Sequence, residues 1–302
     1  MAASSPAGAQ GFPERAVRIV AGQQAGSATD AVARLIADAL ETQWGVAVTV
    51  ENKPGAGGTI GAEAALLGGA DGYTLFLGGT SNLVIAPATD ATLRYDPMRD
   101  FMPIARIASV PFAYAVNADV PARSLKDLAA LARARPGAIT YATLGPATTT
   151  GVGMRLFLAE AGVDMLGIEY KGSTSAYPDV LAGRVDVMFN EIGALAQHAQ
   201  NGRIRVLAIA SPRRALRLPD IPTTAEQGFS RLVVASWYGL LAPAGTPPDV
   251  HKRIADAVAT AMRNPVVRKR IEALGYEPID DTPALFRAAL RDDIATFRAL
   301  AR

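Results

Sequence analysis

The chain has no cysteine among its 302 residues, which excludes disulfides, thiolate nucleophiles and thiolate metal sites together. Zero cysteine fits an oxidising compartment, where stray thiols are a liability. Charge is also scarce. Only 19% of residues are charged and the formal net charge is +2. No basic tract of the kind that nucleic acid or anionic lipid needs is present, so no nucleic-acid partner is expected. Histidine is limited to His198 and His251, both in charged segments of helical pattern that read as solvated surface. No H-E-x-x-H, no G-x-S-x-G and no Cys–His pair can be assembled, so neither a metal nor a catalytic nucleophile is expected. The acids Asp30, Glu51, Asp71, Asp186 and Glu191 read as caps, turns and strand ends.

A membrane-spanning run is missing too. The longest uncharged stretch, "PGAITYATLGPATTTGVGM" at 136–154, is long enough to span but is full of Gly, Pro and Thr. The opening "MAASSPAGAQGF" is small and unpatterned. Ala7-Gly8-Ala9 has the look of a signal-peptidase site, but no apolar core precedes it. Residues 1–11 are therefore read as a leader remnant or a flexible tail.

What is present is half apolar, enough for a large buried core and too much for a disordered chain. Short apolar runs alternate with amphipathic segments: "AVRIVAG", then "DAVARLIADALETQWG" capped by Asp30 or Thr29 and ended by Gly45, then "VAVTVEN", "GTIGAEAALLGGA" and "YTLFLGG". The middle repeats the theme with "ITYATLG", a helix over about 149–162, "LGIEY", "TSAYPDVLAG", "VDVMFNE" and "RVLAIAS". A Pro-rich basic loop, "SPRRALRLPDIPTTAEQG", should lie on the surface, and two charged helices end the chain. This alternation predicts an α/β chain with mostly parallel sheets wound on both faces, in two lobes joined by crossing strands. The expected boundaries are 12–116 with 234–302 for the first lobe and 117–233 for the second.

The Gly-rich stretch "VENKPGAGGTIG" at 50–61 invites a phosphate-binding reading, and its spacing rejects it. From Gly55 the dinucleotide pattern needs a glycine where Ile60 stands, and from Gly57 a P-loop needs one where Ala62 stands. No nucleotide cofactor is expected. Three strand-end loops suit an anion better: "AGQQAGSATD", "GGTSN" and "ATLGPATTTG". They carry small and hydroxyl residues and no cation, and the first and third open helices, where backbone amides and the helix dipole favour negative charge. Ligands of open parallel sheets sit beyond the carboxyl ends of the strands, so the three loops are expected to face one cleft.

These residues, in this order, resemble the Bug family, the extracytoplasmic solute receptors of tripartite tricarboxylate transporters. The likeness runs from Phe12 through "FPERAVRIV", "TDAVARLIADAL", "VTVENKPGAGGTIGAEA", "ADGYTLFLG", "LRYDPMRDFMPIARIASVP", "YKGS", "GRVDVMFNEIGA", "LPDIPTTAEQGF" and "SWYGLLAPAGTP". The resemblance implies a periplasmic binding protein type II fold, two α/β lobes with a hinge and an interdomain cleft. It implies no catalysis, and a periplasmic monomer that captures a small organic carboxylate and delivers it to membrane transporter subunits. The alternatives are a ligand sensor that shows its closed form to a signalling partner, or an α/β enzyme acting on carboxylates. Carried over by position, the ligand residues are Gln23, Gln24, Gly26, Ser27, Ala28 and Thr29 in the first loop. Thr80 and Ser81 follow in the next, Gly145, Thr148, Thr149 and Thr150 in the second lobe, and Asn190 at a strand end. "ENKPGAGG" resembles a structural turn of the family. Two departures stand out: Gly22 and Gln23 replace a common proline and aromatic, and Asn190 replaces a common aspartate that could pair with a ligand amine.

Overall fold

The structure is a computed structural model that describes residues 11–300 apart from Ala147, Val233 and Ala235. The tail expected over residues 1–11 thus lies almost wholly outside the described residues. In chain order come β1 (Val17–Ala21), α1 (Ala28–Trp44), β2 (Val48–Asn52), α2 (Thr59–Leu66) and β3 (Thr74–Gly79). A π-helical turn (Ser81–Ile85) runs into α3 (Ala86–Thr89), followed by α4 (Pro97–Asp100) and β4 (Phe101–Val110). Then come β5 (Phe112–Asn117), α5 (Leu125–Ala134), β6 (Thr140–Thr143), α6 (Thr149–Ala161), β7 (Leu166–Glu169) and α7 (Ser173–Leu181). The remainder is β8 (Val187–Glu191), α8 (Ile192–Gln200), β9 (Ile204–Ile209), β10 (Ser236–Pro243), α9 (Pro248–Arg263), α10 (Pro265–Ala273), β11 (Glu277–Pro278) and α11 (Pro283–Leu300).

The chain divides into two compact units. One holds the segment up to Ala108, Trp237–Leu274 and the segment from Pro278; the other holds Ser109–Ser236 and Gly275–Glu277. In the first unit a six-stranded sheet runs β11-β4-β10-β3-β1-β2. Strands β1, β2 and β3 are parallel and β10 is antiparallel to β3. In the second, five strands run β7-β6-β8-β5-β9. There β6 is parallel to β7 and β8, while β5 is antiparallel to β8 and β9. Because β5 takes both of its ladders there, it belongs to the second sheet, whereas the sequence reading left it in the first lobe.

The elements form for readable reasons. In α1 the apolar Val32, Leu35, Ile36 and Leu40 share a buried face at helical spacing. Gly45 ends it in the left-handed region (φ 70°), its amide donating to the Glu41 carbonyl. Ser124 caps α5 and Thr148 caps α6. The first core gathers Phe76, Phe101, Trp237 and Phe286, the second Met188, Ile192, Leu195 and Ile209. Three helices close the chain, α9, α10 and α11, where the sequence reading expected two. Asn264 caps a separate α10 through its side chain on the Val266 amide. Both histidines also differ from the solvated surface expected of them. The His198 ring lies 4.8 Å from the Tyr177 ring, and His251 Nε2 lies 2.9 Å from the Pro103 carbonyl oxygen.

Candidate functional site

The loop after β1 is shaped by backbone crowding and one carboxylate. A side chain at Gly22 would lie 2.8 Å from the Gly58 carbonyl oxygen, and one at Gly61 would lie 2.6 Å from the Gly22 Cα. The Gly-rich turn 55–58 is thus the buttress of this loop, as a structural turn should be. Ser27, not Thr29 or Asp30, caps α1, its Oγ accepting from the Asp30 amide at 3.2 Å. Asp30 is the buried anchor. Its Oδ2 accepts from the Gly26 amide (2.9 Å) and Arg34 Nε (3.0 Å), and its Oδ1 from Asn52 Nδ2 (3.0 Å). Burial alone would raise this carboxyl, but the bonds from Arg34, Gly26 and Asn52 outweigh it and hold it below the ordinary aspartate range. Asn52 also reaches the Gln23 carbonyl at 3.0 Å.

Gly26 therefore spends its amide inside the loop and leaves none for a ligand. What stays open at the start of α1 is the pair of amides of Ala28 and Thr29, which bind no acceptor among the described residues. The Gln23 and Gln24 side chains likewise have no partner there, Gln24 being exposed and Gln23 half-buried. Beside them, at the parallel end of β3, Thr80 is buried and its Oγ1 accepts from the Trp237 amide at 3.2 Å. Ser81, half-buried, opens the π-helical turn. Asn82 braces this corner, accepting from the Gly79 amide at 3.0 Å and donating to the Gly57 carbonyl. The nearby cations are already paired: Arg34 with Asp30, and Lys53 with Glu51 at 2.8 Å.

The second unit builds the same kind of helix start from threonines. Thr148 Oγ1 donates to the Gly145 carbonyl (2.7 Å) and accepts from the Gly151 amide (3.1 Å). It also lies 2.9 Å from Thr150 Oγ1, which accepts from the Leu144 amide. Gly145 sits at φ 103°, and Gly151 must be glycine because a side chain there would meet the Gly145 carbonyl oxygen at 2.1 Å. The hydroxyls of Thr148 and Thr150 are thus committed to holding the loop. The amides of Thr149 and Thr150, and the Thr149 hydroxyl, have no partner among the described residues. Next to β6, at the parallel end of β8, Asn190 is buried. It donates to the Tyr177 hydroxyl (3.2 Å) and accepts from the Glu191 amide (2.9 Å). Burial, helped by the Glu191 charge, pushes the Tyr177 phenol up, so it stays a neutral partner for Asn190.

The expected residues fall into two groups. Gln23, Gln24, Gly26, Ser27, Ala28, Thr29, Thr80 and Ser81 share the strand-end edge of the first sheet. Gly145, Thr148, Thr149, Thr150 and Asn190 share that of the second. Asp30, Asn52, Asn82 and Tyr177 hold these groups in place, and sequence reasoning did not assign them that part. For Asp30 a signal existed: Ser27-x-x-Asp30 has the spacing of a capping box. Two surface hollows lie elsewhere, about 260 Å³ beside Tyr95, Arg94 and Arg298, and about 330 Å³ beside Asn117, Asp119 and Asp186. Neither is lined by an expected ligand residue. Among the described residues no three His, Asp or Glu side chains converge as a metal site, and no helix is long and apolar enough to cross a membrane.

Known proteins share this chain's sequence pattern and fold. The family described as "Tripartite tricarboxylate transporter family receptor" matches residues 32–297. The protein BugT of Bordetella pertussis is 31% identical over 300 residues, covering 99% of this chain and 92% of BugT. An R. palustris structure with adipate superposes with a TM-score of 0.87 at 31% identity, covering 96% of this chain and 97% of that one. MatC from Rhodopseudomonas palustris with bound malate superposes at 0.83 and 28% identity, over 96% and 100% of the two chains. Two α/β units are thus the fold of a known receptor class, and the chain belongs to the tripartite tricarboxylate transporter receptor family.

Proposed function

We propose that this chain is a periplasmic monomer that takes a small organic carboxylate between its two units and delivers it to membrane transporter subunits. The observation that carries the reading is the pair of open helix starts. Ala28 and Thr29 in one unit, and Thr149 and Thr150 in the other, offer amides to an anion, and Arg34 near the first pair is already taken by Asp30. A carboxylate accepts several such charge-assisted bonds, each worth roughly 1.5–3 kcal/mol once water is excluded. The helix dipoles favour the same charge. Two relatives of this shape hold malate and adipate, both dicarboxylates. Capture would proceed by rotation about the crossing strands at 108–109 and 236–237, each unit staying rigid. Asn190 takes the place where an aspartate would favour a ligand amine, so the ligand is expected to lack one.

Titration calorimetry with malate, adipate, a monocarboxylate and an acidic amino acid tests this. The expected result is saturable binding of a carboxylate, near −8 kcal/mol for a micromolar affinity, with no turnover. Binding that depends on an amine would contradict the Asn190 reading. Failure of every carboxylate to bind, or its conversion to product, would contradict the receptor function.

A further inference from the structure

Rotation about 108–109 and 236–237 leaves out a further passage of the chain. Gly275–Glu277 belongs to the second unit, although the segments before and after it belong to the first. These three residues leave the end of α10 and lead into β11, whose neighbour in the first sheet is β4. The Ile279 amide then donates to the Ile107 carbonyl at 3.1 Å, just before β4 passes into the second unit at Ser109. Strands β11, β4 and β10 are consecutive in that sheet, and each contains one passage between the units.

The segment is fastened within the second unit. Gly275 lies in the left-handed region (φ 87°), and a side chain there would come within 2.8 Å of the Gly193 Cα, so only glycine fits. Tyr276 is 7% exposed, and its hydroxyl donates to Glu191 Oε2 at 3.1 Å. Burial, helped by the Glu191 charge, pushes this phenol up, so it stays a donor. Glu191 is itself held. It ends β8, pairs with Phe112 of β5, and gives its amide to the Asn190 side chain at 2.9 Å. Tyr276 is thus fastened to the strand end that carries Asn190.

Three residues reach at most about 11 Å when fully extended. Held at Glu191, and continuous with α10 on one side and β11 on the other, the segment has little slack. Any turn of one unit on the other must bend it or pull Tyr276 from its seat. A short tether of this kind narrows the range of open arrangements, so less entropy is lost on closing round a ligand. We propose that Gly275–Glu277 is a third hinge strand, a strap with Tyr276 as its clasp, which limits opening of the units and so sets the carboxylate affinity. The inference rests on the receptor reading above and adds the element that governs its closure.

The test is calorimetric titration of the full chain with adipate and malate, alongside thermal melting. Tyr276→Phe keeps the ring and loses the clasp, and should raise the Kd by about fivefold or more. Two glycines inserted between Leu274 and Gly275 leave the Tyr276–Glu191 bond in place but lengthen the strap. They should raise the Kd by a similar factor, which a purely structural tyrosine does not predict. Thr224→Val loses a buried bond to the Leu232 carbonyl in the same unit. It should melt lower than wild type yet keep its Kd within about twofold. An unchanged Kd in Tyr276→Phe or in the lengthened chain, or an equal loss of affinity in Thr224→Val, would overturn the strap. A wild-type chain that binds no carboxylate would overturn the receptor reading, and the strap with it.

Discussion

Replacing Asp30 by asparagine removes one negative charge from the most heavily bonded side chain of the first loop. The carboxylate accepts three bonds, two on Oδ2 and one on Oδ1. Asparagine keeps a single acceptor oxygen. In its better orientation that oxygen retains Gly26 and Arg34, and the new NH2 faces the Asn52 NH2, donor against donor. One bond is lost outright, the Gly26 bond loses its charge assistance, and the Arg34 bond loses its ion-pair partner. With bonds to charged groups worth roughly 1.5–3 kcal/mol, and Arg34 discounted because it is half exposed, a loss of about 2 kcal/mol in unfolding free energy follows. The freed Gly26–Thr29 segment should also raise the carboxylate Kd by roughly tenfold, since 1.4 kcal/mol of loop ordering corresponds to that factor. Urea unfolding followed by circular dichroism, with calorimetric titration of adipate, measures both. The folded Asp30 carboxyl lies below its unfolded value. Its contribution is therefore fully present above the ordinary aspartate range and is lost as pH falls through the folded value. The variant should lose that part of the acid sensitivity. A stability change under about 0.5 kcal/mol with an unchanged Kd would refute the anchoring part given to this residue.

Other outcomes are expected at these sites and in the first core. Asp293 is raised by burial, only partly offset by its bond from the Trp237 indole at 2.8 Å, so its contribution falls as pH rises from the unfolded to the folded value. Asp293→Asn keeps the acceptor and should unfold no more easily than wild type at pH ~7, whereas Asp293→Leu should lose about 1–3 kcal/mol by stranding the indole N–H; thermal scans separate the two. Thr148→Val removes the α6 cap and the Gly145 contact together, so about 1–2 kcal/mol of stability and most of the carboxylate affinity should go. Calorimetry showing full affinity would place the ligand elsewhere. Gly151→Ala forces a methyl into the Gly145 carbonyl and should weaken binding more than Gly162→Ala, whose methyl meets nothing within 4 Å.

Much of this arrangement was legible in the sequence because its signals are local. The left-handed stop at Gly45 and the helix from Thr149 depend on neighbours within a few residues, and each is read from a short string. The cap of α1 was misplaced because Thr29 and Asp30 also suit a helix start. The choice went to Ser27 once Asp30 turned its side chain back onto the Gly26 amide. Strand β5 was left in the wrong lobe because its partners, β8 and β9, lie 70 or more residues away. The hydroxyls of Thr148 and Thr150 look like ligand donors in one dimension, and only their spacing in three dimensions shows the loop consuming them. Tyr177 was invisible as the holder of Asn190 because a helix and a strand must pack before the two side chains meet.

The most direct measurement is of the backbone amides themselves. In a 15N-labelled sample titrated with adipate and with malate, Ala28, Thr29, Thr149 and Thr150 should shift together, saturating at one common dissociation constant. Saturable binding that leaves either pair unmoved would show that the anion is held by something other than the two helix starts.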